Sequence, residues 1–173
     1  MENSRVETMK NSNSTKLFDK WVLWAHLPHN TDWSLKSYTN IYTADTAEKL
    51  IALNNTLPEE LIKNCMLFFM RDGILPMWED PKNSCGGCFS FKINHKNVKQ
   101  IWKNVSYVMA GETLSKNPEL AKNINGITIS PKKSFSIFKI WVGTTKFQSV
   151  QFLENIPGLS FQGCIFKKHK PDF

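Results

Sequence analysis

Seven short runs rich in aromatic and β-branched residues are spread along the chain, and they constrain its fold more than any other feature. Runs of this length and composition, bounded by turn-forming residues, are typical of β-strands. The runs are WVLWAHLP (21–28), YTNIYT (38–43), CMLFFMR (65–71), CFSFKI (88–93), GITIS (126–130), FSIFKIWV (135–142) and FQGCIFK (161–167). The sequence therefore predicts a protein in which strands dominate.

Three other segments follow a helical period. They are DTAEKLIALNN (45–55), NVKQIWKNVSYVMAGE (97–112) and, more weakly, TTKFQSVQFLEN (144–155). Asp45 and Glu48 form a candidate capping box for the first helix. Gly111 is a candidate C-cap for the second helix, whose apolar residues fall on one stripe.

The order of these segments predicts the fold class. Helices lie between strand pairs rather than after every strand, which favours an α+β fold with a largely antiparallel sheet covered on one face by helices. A length of 173 residues suits one domain with a sizeable core. Residues 1–16 are polar and lack periodicity, so we expect a disordered tail followed by a single domain over residues 17–173.

The net charge indicates which kinds of molecule the chain could bind. Twenty-two Lys and Arg against fifteen Asp and Glu give a net charge of +7, which favours polyanions such as nucleic acid or an anionic membrane surface. Lysines that are merely solvated are the alternative. The N-terminus carries no apolar signal segment, and no run approaches the roughly eighteen apolar residues of a membrane span. We expect a cytoplasmic, reduced protein with no membrane insertion.

The tryptophans divide into two groups. Trp21, Trp24 and Trp102 sit inside periodic elements and are predicted core residues. Trp33 lies in the polar stretch TDWSLKS, and Trp78 lies in ILPMWEDPKN between two prolines. Trp78 could still be a core aromatic at a strand end. The alternative is that the two loop tryptophans form the walls of a slot for a flat ligand.

Such a slot suits a flat cation best, because stacking and cation–π attraction then add. Glu79 follows Trp78 directly. A carboxylate only accepts hydrogen bonds, so in the plane of a stacked ring it can bind two N–H donors from one edge. Guanine presents such a pair, N1–H and N2–H₂. A guanine that carries a positive charge is the 7-methylguanine of an mRNA cap.

The chain resembles the eukaryotic translation initiation factor 4E family over about residues 17–170. The resemblance is carried by WVLW (21–24), Trp33, RDGILPMWEDPKN (71–83), GG (86–87), GE (111–112) and IW (140–141). It implies a curved, mostly antiparallel sheet of about eight strands, with three helices packed on its convex face and the cap bound in its concave face. It further implies a cap-binding factor in translation initiation that is not an enzyme and needs no cofactor.

The resemblance also implies residue roles in binding 7-methylguanosine-capped RNA. Trp33 and Trp78 would sandwich the methylated base, Glu79 would bind its N1 and N2 edge, and Trp141 would contact the N7 methyl group. Pro76 and Pro81 would help to hold Trp78 and Glu79 in fixed geometry, which lowers the entropy cost of binding.

The family binds the cap triphosphate with three cations, and this chain departs from that pattern. Cys88 stands at the first position, Lys132 with Lys133 beside it at the second, and Ile137 at the third. Strand alternation puts Lys139 and Trp141 on one face, so Lys139 is a candidate replacement, the alternative being a solvated lysine. Because lysine lacks the fork of arginine, we expect weaker phosphate binding than is usual for the family.

The family's partner surface is also changed. Ile51 replaces a surface tryptophan on the first helix, and Lys103, Asn104 and Tyr107 replace leucine, glutamate and leucine on the second. Loss of the indole removes a candidate hot spot for an initiation scaffold protein. We therefore expect the usual scaffold and inhibitor helices to bind poorly, which leaves a cap-binding repressor or decoy as an alternative to an initiation factor.

Two other classes stay open on the sequence. Cys85 and Cys88 have the C-x-x-C spacing of redox centres, and with Cys65 and Cys164 they could form a zinc site. Gly86 and Gly87, however, are typical of a hairpin or tight turn before a strand rather than of the helix that a redox pair begins. A general single-stranded RNA-binding module would need aromatics and lysines but not Glu79.

Overall fold

The structure, a computed structural model, describes residues 14–170. Residues 1–13, most of the predicted tail, lie outside the described range, and Lys16 is already the first residue of a strand. The described strands are β1 (Lys16–His26), β2 (Tyr38–Thr46), β3 (Met66–Arg71), β4 (Gly87–Ile93), β5 (Ile124–Pro131), β6 (Ser136–Val142) and β7 (Ile165–Lys168). The helices are α1 (Ala47–Thr56), α2 (Glu59–Asn64), α3 (Pro81–Ser84), α4 (Val98–Ala110) and α5 (Pro118–Lys122).

The seven strands form one sheet in the order β2-β1-β3-β5-β6-β4-β7, and every neighbouring pair is antiparallel. Each run that the sequence predicted as a strand contributes one of them, so the α+β antiparallel prediction is confirmed. Within residues 14–170 the sheet has seven strands rather than about eight. Register shifts between β1 and β2 and between β5 and β6 bend these strands locally.

Strand alternation separates the apolar residues into two clusters on opposite faces of the sheet. In β3, Leu67 and Phe69 belong to the large core, whereas Phe68 and Met70 belong to a small cluster with Trp141. Helices α1, α2, α4 and α5 all bury residues in the large core. The helices therefore cover one face, and the aromatic cluster occupies the other face. No helix in residues 14–170 has the length and apolarity needed to cross a bilayer.

Arg71 ties several elements together at the end of β3. Its guanidinium lies 4.6 Å from the centre of the Trp21 ring and donates hydrogen bonds to the Ile124 carbonyl oxygen at 2.9 and 3.2 Å. It also contacts the carboxylates of Asp19 and Glu112. Glu112 takes a left-handed conformation, with φ of 57°, directly after α4, whose predicted C-cap Gly111 is confirmed.

Two helix predictions need correction. The candidate capping box of α1 is wrong: Asp45 lies within β2 and pairs with Lys49, while the hydroxyl of Thr46 caps the helix by accepting from the Lys49 amide. The carboxylate of Glu48 accepts instead from the amide of Thr15, which precedes β1. The segment resembles a capping box because Asp45 and Glu48 are three residues apart, but β2 continues to Thr46, three residues beyond its predicted end, so the N-cap falls on Thr46.

The predicted third helix over residues 144–155 is also wrong. This segment contains only a 3₁₀ turn, Val150–Phe152, and its Leu153 pairs with Ser115 in an isolated bridge. Phe147 and Leu153 are buried in the main core. The backbone follows an irregular path that buries Phe147 and Leu153, and this tertiary burial overrides the local helical pattern.

Gly86 lets β4 approach β6 closely. Its amide donates to the Asn83 carbonyl oxygen, which confirms the tight turn before a strand, although β4 pairs with β6 and β7 and forms no hairpin with β3. A Cβ atom on Gly86 would lie 1.8 Å from the carbonyl oxygen of Val142. The backbone of β6 occupies the space of any side chain at this position.

We expect Gly86→Ala to lower the free energy of unfolding by about 2 kcal/mol or more, because the strands must separate to admit the methyl group. Urea unfolding followed by circular dichroism measures this. Gly111→Ala is the milder comparison, since its Cβ would lie 3.3 Å from the carbonyl oxygen of Tyr107, a tight contact that a small shift relieves, and we expect a loss below about 1 kcal/mol. Equal stability of the two variants would contradict this account of Gly86.

Candidate functional site

A cleft of about 210 Å³ opens on the sheet face opposite the main core. It is lined by Trp33, Tyr38, Met66, Phe68, Pro76, Met77, Trp78, Glu79, Lys139 and Trp141. The structure thus brings together all four residues predicted to bind the cap base, although they are separated by up to 108 positions in sequence (141 − 33). It adds Lys139 from the predicted phosphate-binding group.

Trp33 forms a wall of the cleft that is supported from behind. Its ring stacks on the buried His26 ring at a centroid distance of 4.1 Å and an interplanar angle of 3°. His26 Nε2 lies 2.8 Å from the Asp32 carbonyl oxygen, and because a carbonyl only accepts, the imidazole donates this hydrogen bond. Trp33 nevertheless stays 54% exposed. One face of the indole is therefore held, and surface remains for a ligand.

The turn around Trp33 is closed by local hydrogen bonds. The Asp32 carboxylate accepts from the amide of Ser34 at 2.8 Å and from its hydroxyl at 3.0 Å. These hydrogen bonds lower the pKa of Asp32 below its usual value. Asp32 is thus ionised at neutral pH and keeps the turn closed on both sides of Trp33.

Trp78 and Glu79 lie on a loop that is fastened by the two polar residues of the same motif. Asp80 accepts from the Leu75 amide at 2.9 Å and from the Lys82 amide at 2.8 Å, so it closes the loop and caps α3. The fully buried Asn83 donates to the carbonyl oxygens of Leu75 and Met77 at 3.0 and 2.8 Å. These hydrogen bonds fix the backbone of the loop around Trp78. The indole of Trp78 is 46% exposed.

Asn83 in turn is bound to the sheet. Asn125 of β5 donates from Nδ2 to Asn83 Oδ1 at 2.9 Å and to the Lys82 carbonyl oxygen at 2.8 Å. His169, after β7, donates from Nδ1 to the Asn83 carbonyl oxygen at 2.7 Å. The loop is therefore anchored to strand β5 and to the segment that follows β7. These roles were not predicted from the sequence, although Asp80 and Asn83 stand within the motif RDGILPMWEDPKN.

Trp141 forms the floor of the cleft. Only 6% of its surface is exposed, because Phe68 packs against it at 6.2 Å and His169 at 4.6 Å between ring centroids. Burial lowers the pKa of His169, so its imidazole is neutral at pH 7. Trp141 can therefore offer a ligand only a small part of its ring.

Tyr38 joins the two sides of the cleft and was not predicted as a site residue from the sequence. Its ring meets those of His26 at 5.2 Å and Phe68 at 5.4 Å, both edge to face. Burial, followed by the charge of Glu79, raises the pKa of Tyr38. The phenol is therefore neutral at pH 7. A tyrosine at the start of a strand carries no pattern that marks it as a site residue.

Lys139 also lines a second cavity of about 440 Å³, which we call the lysine groove. It is lined by Ser90, Phe91, Lys92, Ser130, Lys132, Phe135, Ile137, Lys139, Ile165 and Lys167. Of the predicted phosphate-binding residues, Lys132 and Lys139 therefore face this region, whereas Lys133 is exposed and lines neither cavity. Cys88, at the family's first cationic position, is buried with its Sγ 3.7 Å from Ser90 Oγ.

The residues predicted for partner binding lie on α1 and α4. Ile51 is 49% exposed on α1. On α4, Lys103 Nζ lies 5.9 Å from the centre of the Tyr107 ring, and Asn104 accepts from Gln100 Nε2 at 2.7 Å. This surface thus presents an aliphatic side chain and a lysine.

The four cysteines are free thiols. Cys85 is exposed and Cys88 is buried, while burial raises the pKa of Cys164 to about 11. Within residues 14–170, no three His, Cys, Asp or Glu side chains lie together as metal ligands. The structure thus gives the C-x-x-C spacing no metal-binding geometry in this range.

Comparison with known proteins identifies the family of this chain. A family model described as "Eukaryotic initiation factor 4E" matches residues 16–159. An initiation factor 4E from Eremothecium gossypii is 28% identical over 164 residues, which cover 84% of this chain and 75% of that protein. An initiation factor 4E homologue from Acanthamoeba polyphaga mimivirus is 48% identical over 61 residues, and the chain spans only 22% of its length.

A solved structure has the same fold. The crystal structure of a schistosome eIF4E complexed with m7GpppG and 4E-BP superposes with a TM-score of 0.70 at 20% identity, covering 78% of this chain and 75% of that chain. Because the family match extends over residues 16–159, this chain belongs to the eukaryotic initiation factor 4E family, a family of translation factors and not of enzymes.

Proposed function

We propose that this chain binds the 7-methylguanosine cap of mRNA and acts in translation initiation. The observation that carries the proposal is the presence of Trp33, Trp78 and Glu79 around one cleft on the sheet face away from the helices. A schistosome member of the family has been solved with the cap analogue m7GpppG. The aromatic and acidic groups in this cleft suit the same ligand.

The methylated base stacks on the exposed indoles of Trp33 and Trp78. Stacking of a base on an aromatic ring contributes roughly 1–3 kcal/mol, and the positive charge of 7-methylguanine adds a cation–π attraction of about 0.5–2 kcal/mol. Support of Trp33 by His26, and of the Trp78 loop by Asn83, leaves little side-chain freedom to be lost on binding.

Glu79 reads the guanine edge. Its carboxylate accepts from N1–H and N2–H₂, a donor pair that adenine, cytosine and uracil lack. Hydrogen bonds to a charged acceptor contribute roughly 1.5–3 kcal/mol, which is enough to select one base. Trp141 on the floor of the cleft packs against the N7 methyl group with the small part of its ring that is exposed.

The lysines bind the triphosphate. Lys139 lies in both cavities and is placed to follow the phosphates out of the cleft, and Lys132 lies further along the lysine groove. Lys133 contributes to triphosphate binding only through the positive electrostatic potential of the surrounding surface. A lysine ammonium is a point charge and lacks the planar guanidinium of arginine. The affinity for the phosphates therefore depends strongly on salt concentration and only weakly on the orientation of the phosphate groups.

A second candidate function is repression of translation by occupying caps. The exposed Ile51 and the Lys103–Tyr107 pair favour it, because a scaffold helix would meet an aliphatic residue and a charge in place of an indole and a leucine. A pull-down of this chain with initiation scaffold peptides, with cap analogue present, separates the two. Binding of the peptides supports initiation, and failure to bind supports repression.

Glu79→Gln tests the edge-reading role. We expect its affinity for 7-methyl-GTP to fall about ten- to a hundredfold, since the amide offers one acceptor and brings an N–H₂ group against the donors of guanine. Isothermal titration calorimetry measures the change. Glu60→Gln on α2 is the matched control and should bind as the unmodified chain does. An unchanged affinity of Glu79→Gln would remove this role.

His26 provides a test of preorganisation. We expect His26→Ala to weaken 7-methyl-GTP binding about tenfold, because Trp33 loses its stacking partner and gains rotamer freedom. His26→Phe keeps a stacked ring and should restore most of the affinity, although it lacks the hydrogen bond to Asp32. Equal weakening in both variants, measured at equal thermal stability, would show that stacking on His26 is not what positions Trp33.

A further inference from the structure

We propose that His169 is a positioning residue for cap binding: its neutral imidazole holds the cleft floor and the loop of Trp78 and Glu79 together, and acid weakens cap binding by protonating it. This inference rests on the proposed function, because both elements that His169 contacts carry residues of the cap cleft. His169 itself does not line the cleft, so it acts through its neighbours.

His169 contacts three separate parts of the chain. Its amide donates to the Gly86 carbonyl oxygen at 3.0 Å, and its Nδ1 donates to the Asn83 carbonyl oxygen at 2.7 Å. Its ring packs on that of Trp141 with a centroid distance of 4.6 Å and an interplanar angle of 48°. Because the backbone is held separately at Gly86, the side chain can leave its position while the segment after β7 keeps its path.

The imidazole links the two halves of the cleft. Asn83 belongs to the network that fixes the loop of Trp78 and Glu79, and Trp141 forms the floor. If the imidazole turned away, the Asn83 carbonyl oxygen would lose its side-chain donor and Trp141 would lose a packing partner. Cap binding would then have to order groups that are now held in place, which lowers the affinity.

The position of the imidazole favours its neutral form. Because Nδ1 donates to a carbonyl oxygen, the neutral ring carries its proton on Nδ1 and a lone pair on Nε2. Nε2 is buried and has no hydrogen-bond partner among residues 14–170. Protonation would put an N–H donor and a positive charge at this atom, and a buried charged donor without an acceptor is strongly unfavourable. We therefore expect the charged ring to turn toward solvent.

The titratable groups around His169 are mostly cationic. On the elements packed against it and on its own segment they are Glu79, Asp80, Lys82 and Cys85 on and beside α3, Cys88 and Lys92 on β4, Lys139 on β6, and Lys167, Lys168 and Lys170. Burial lowers the pKa of His169 most, the hydrogen bond to Asn83 partly offsets this, and the charge of Lys139 lowers the pKa further. A 7-methylguanine bound against Trp141 would repel an imidazolium in the same way.

The lowered pKa of His169 fixes the sign of the pH dependence. A histidine whose pKa in the folded chain lies below its ordinary value of about 6.5 stabilises its folded position fully above that value. This contribution is lost as the pH falls from about 6.5 toward the lowered pKa. Protons and the cap therefore compete, so cap binding in mild acid releases a proton from His169.

His169→Gln tests the proposal, because glutamine can donate to the Asn83 carbonyl oxygen and does not titrate. At about pH 7.5 we expect it to bind 7-methyl-GTP within about threefold of the unmodified chain, and His169→Ala, which lacks a donor, to bind about tenfold more weakly. From about pH 7.5 to about pH 5 the unmodified chain should lose about tenfold more affinity than His169→Gln. Tryptophan fluorescence titration measures these affinities, and the titrations of Glu79 and of the ligand are common to both chains.

A second measurement does not depend on stability in acid. Isothermal titration calorimetry at about pH 6, in two buffers of different ionisation enthalpy, gives the number of protons released on binding. We expect the unmodified chain to release more protons than His169→Gln. His95→Gln is the matched control and should behave as the unmodified chain does, since His95 lies in the 3₁₀ turn before α4, 3.1 Å from Ser136 Oγ, and does not line the cleft.

The outcomes are distinguishable. Identical pH profiles and equal proton release for the unmodified chain and His169→Gln would overturn the inference while cap binding stands. Tighter binding in acid would also overturn it, because the imidazolium would then act as a phosphate ligand. So would a loss of affinity for 7-methyl-GTP that 7-methylguanosine does not share, since the base and not the phosphates contacts the two elements. Failure of 7-methyl-GTP to bind at about pH 7.5 overturns the proposed function itself.

Discussion

The hydrogen bonds of the buried Asn83 side chain fix the loop that carries Trp78 and Glu79, and the candidate site depends on this loop more than on any other contact. Through them the loop is held at the carbonyl oxygens of Leu75 and Met77, which precede Trp78, and is bound by way of Asn125 to the sheet. A buried amide without partners would cost about 1–3 kcal/mol, so this network either forms completely or destabilises the domain. The loop therefore has one conformation because its polar interior has one satisfied arrangement, and the prolines around it restrict the same backbone.

The sheet supplies the second constraint, because alternation gives each strand one face for the helices and another for a ligand. Helices α1, α2, α4 and α5 pack on the first face and form the main core with it, and the second face takes no part in that core. That second face carries an aromatic cluster around Phe68 and Trp141 in its centre and lysines toward β7. A hydrophobic stacking surface and a basic surface thus lie side by side on one rigid scaffold, as a charged, base-bearing ligand requires.

Much of this arrangement can be predicted from the sequence, for identifiable reasons. The seven strands can be predicted because strand composition is local. Trp33, Trp78 and Glu79 stand out as two loop tryptophans and an adjacent acid, whereas Trp141 is indicated only by the family resemblance. The helix over residues 144–155 failed because burial of single anchors, which is a tertiary effect, decided that segment. The supports His26, Tyr38 and Asn125 were missed because a residue that acts through a ring stack or a side-chain amide hydrogen bond across the sheet leaves no periodic signal.

The central claim is that the cleft selects a positively charged guanine. A parallel titration with 7-methyl-GTP and with GTP, followed by tryptophan fluorescence at fixed moderate salt, tests it most directly, since Trp33 and Trp78 are each about half exposed. The account predicts strong quenching by the methylated nucleotide and an affinity at least about tenfold lower for GTP, in line with the loss of the cation–π attraction. Equal and equally salt-sensitive binding of both nucleotides would contradict it, because the lysines alone would then hold the ligand.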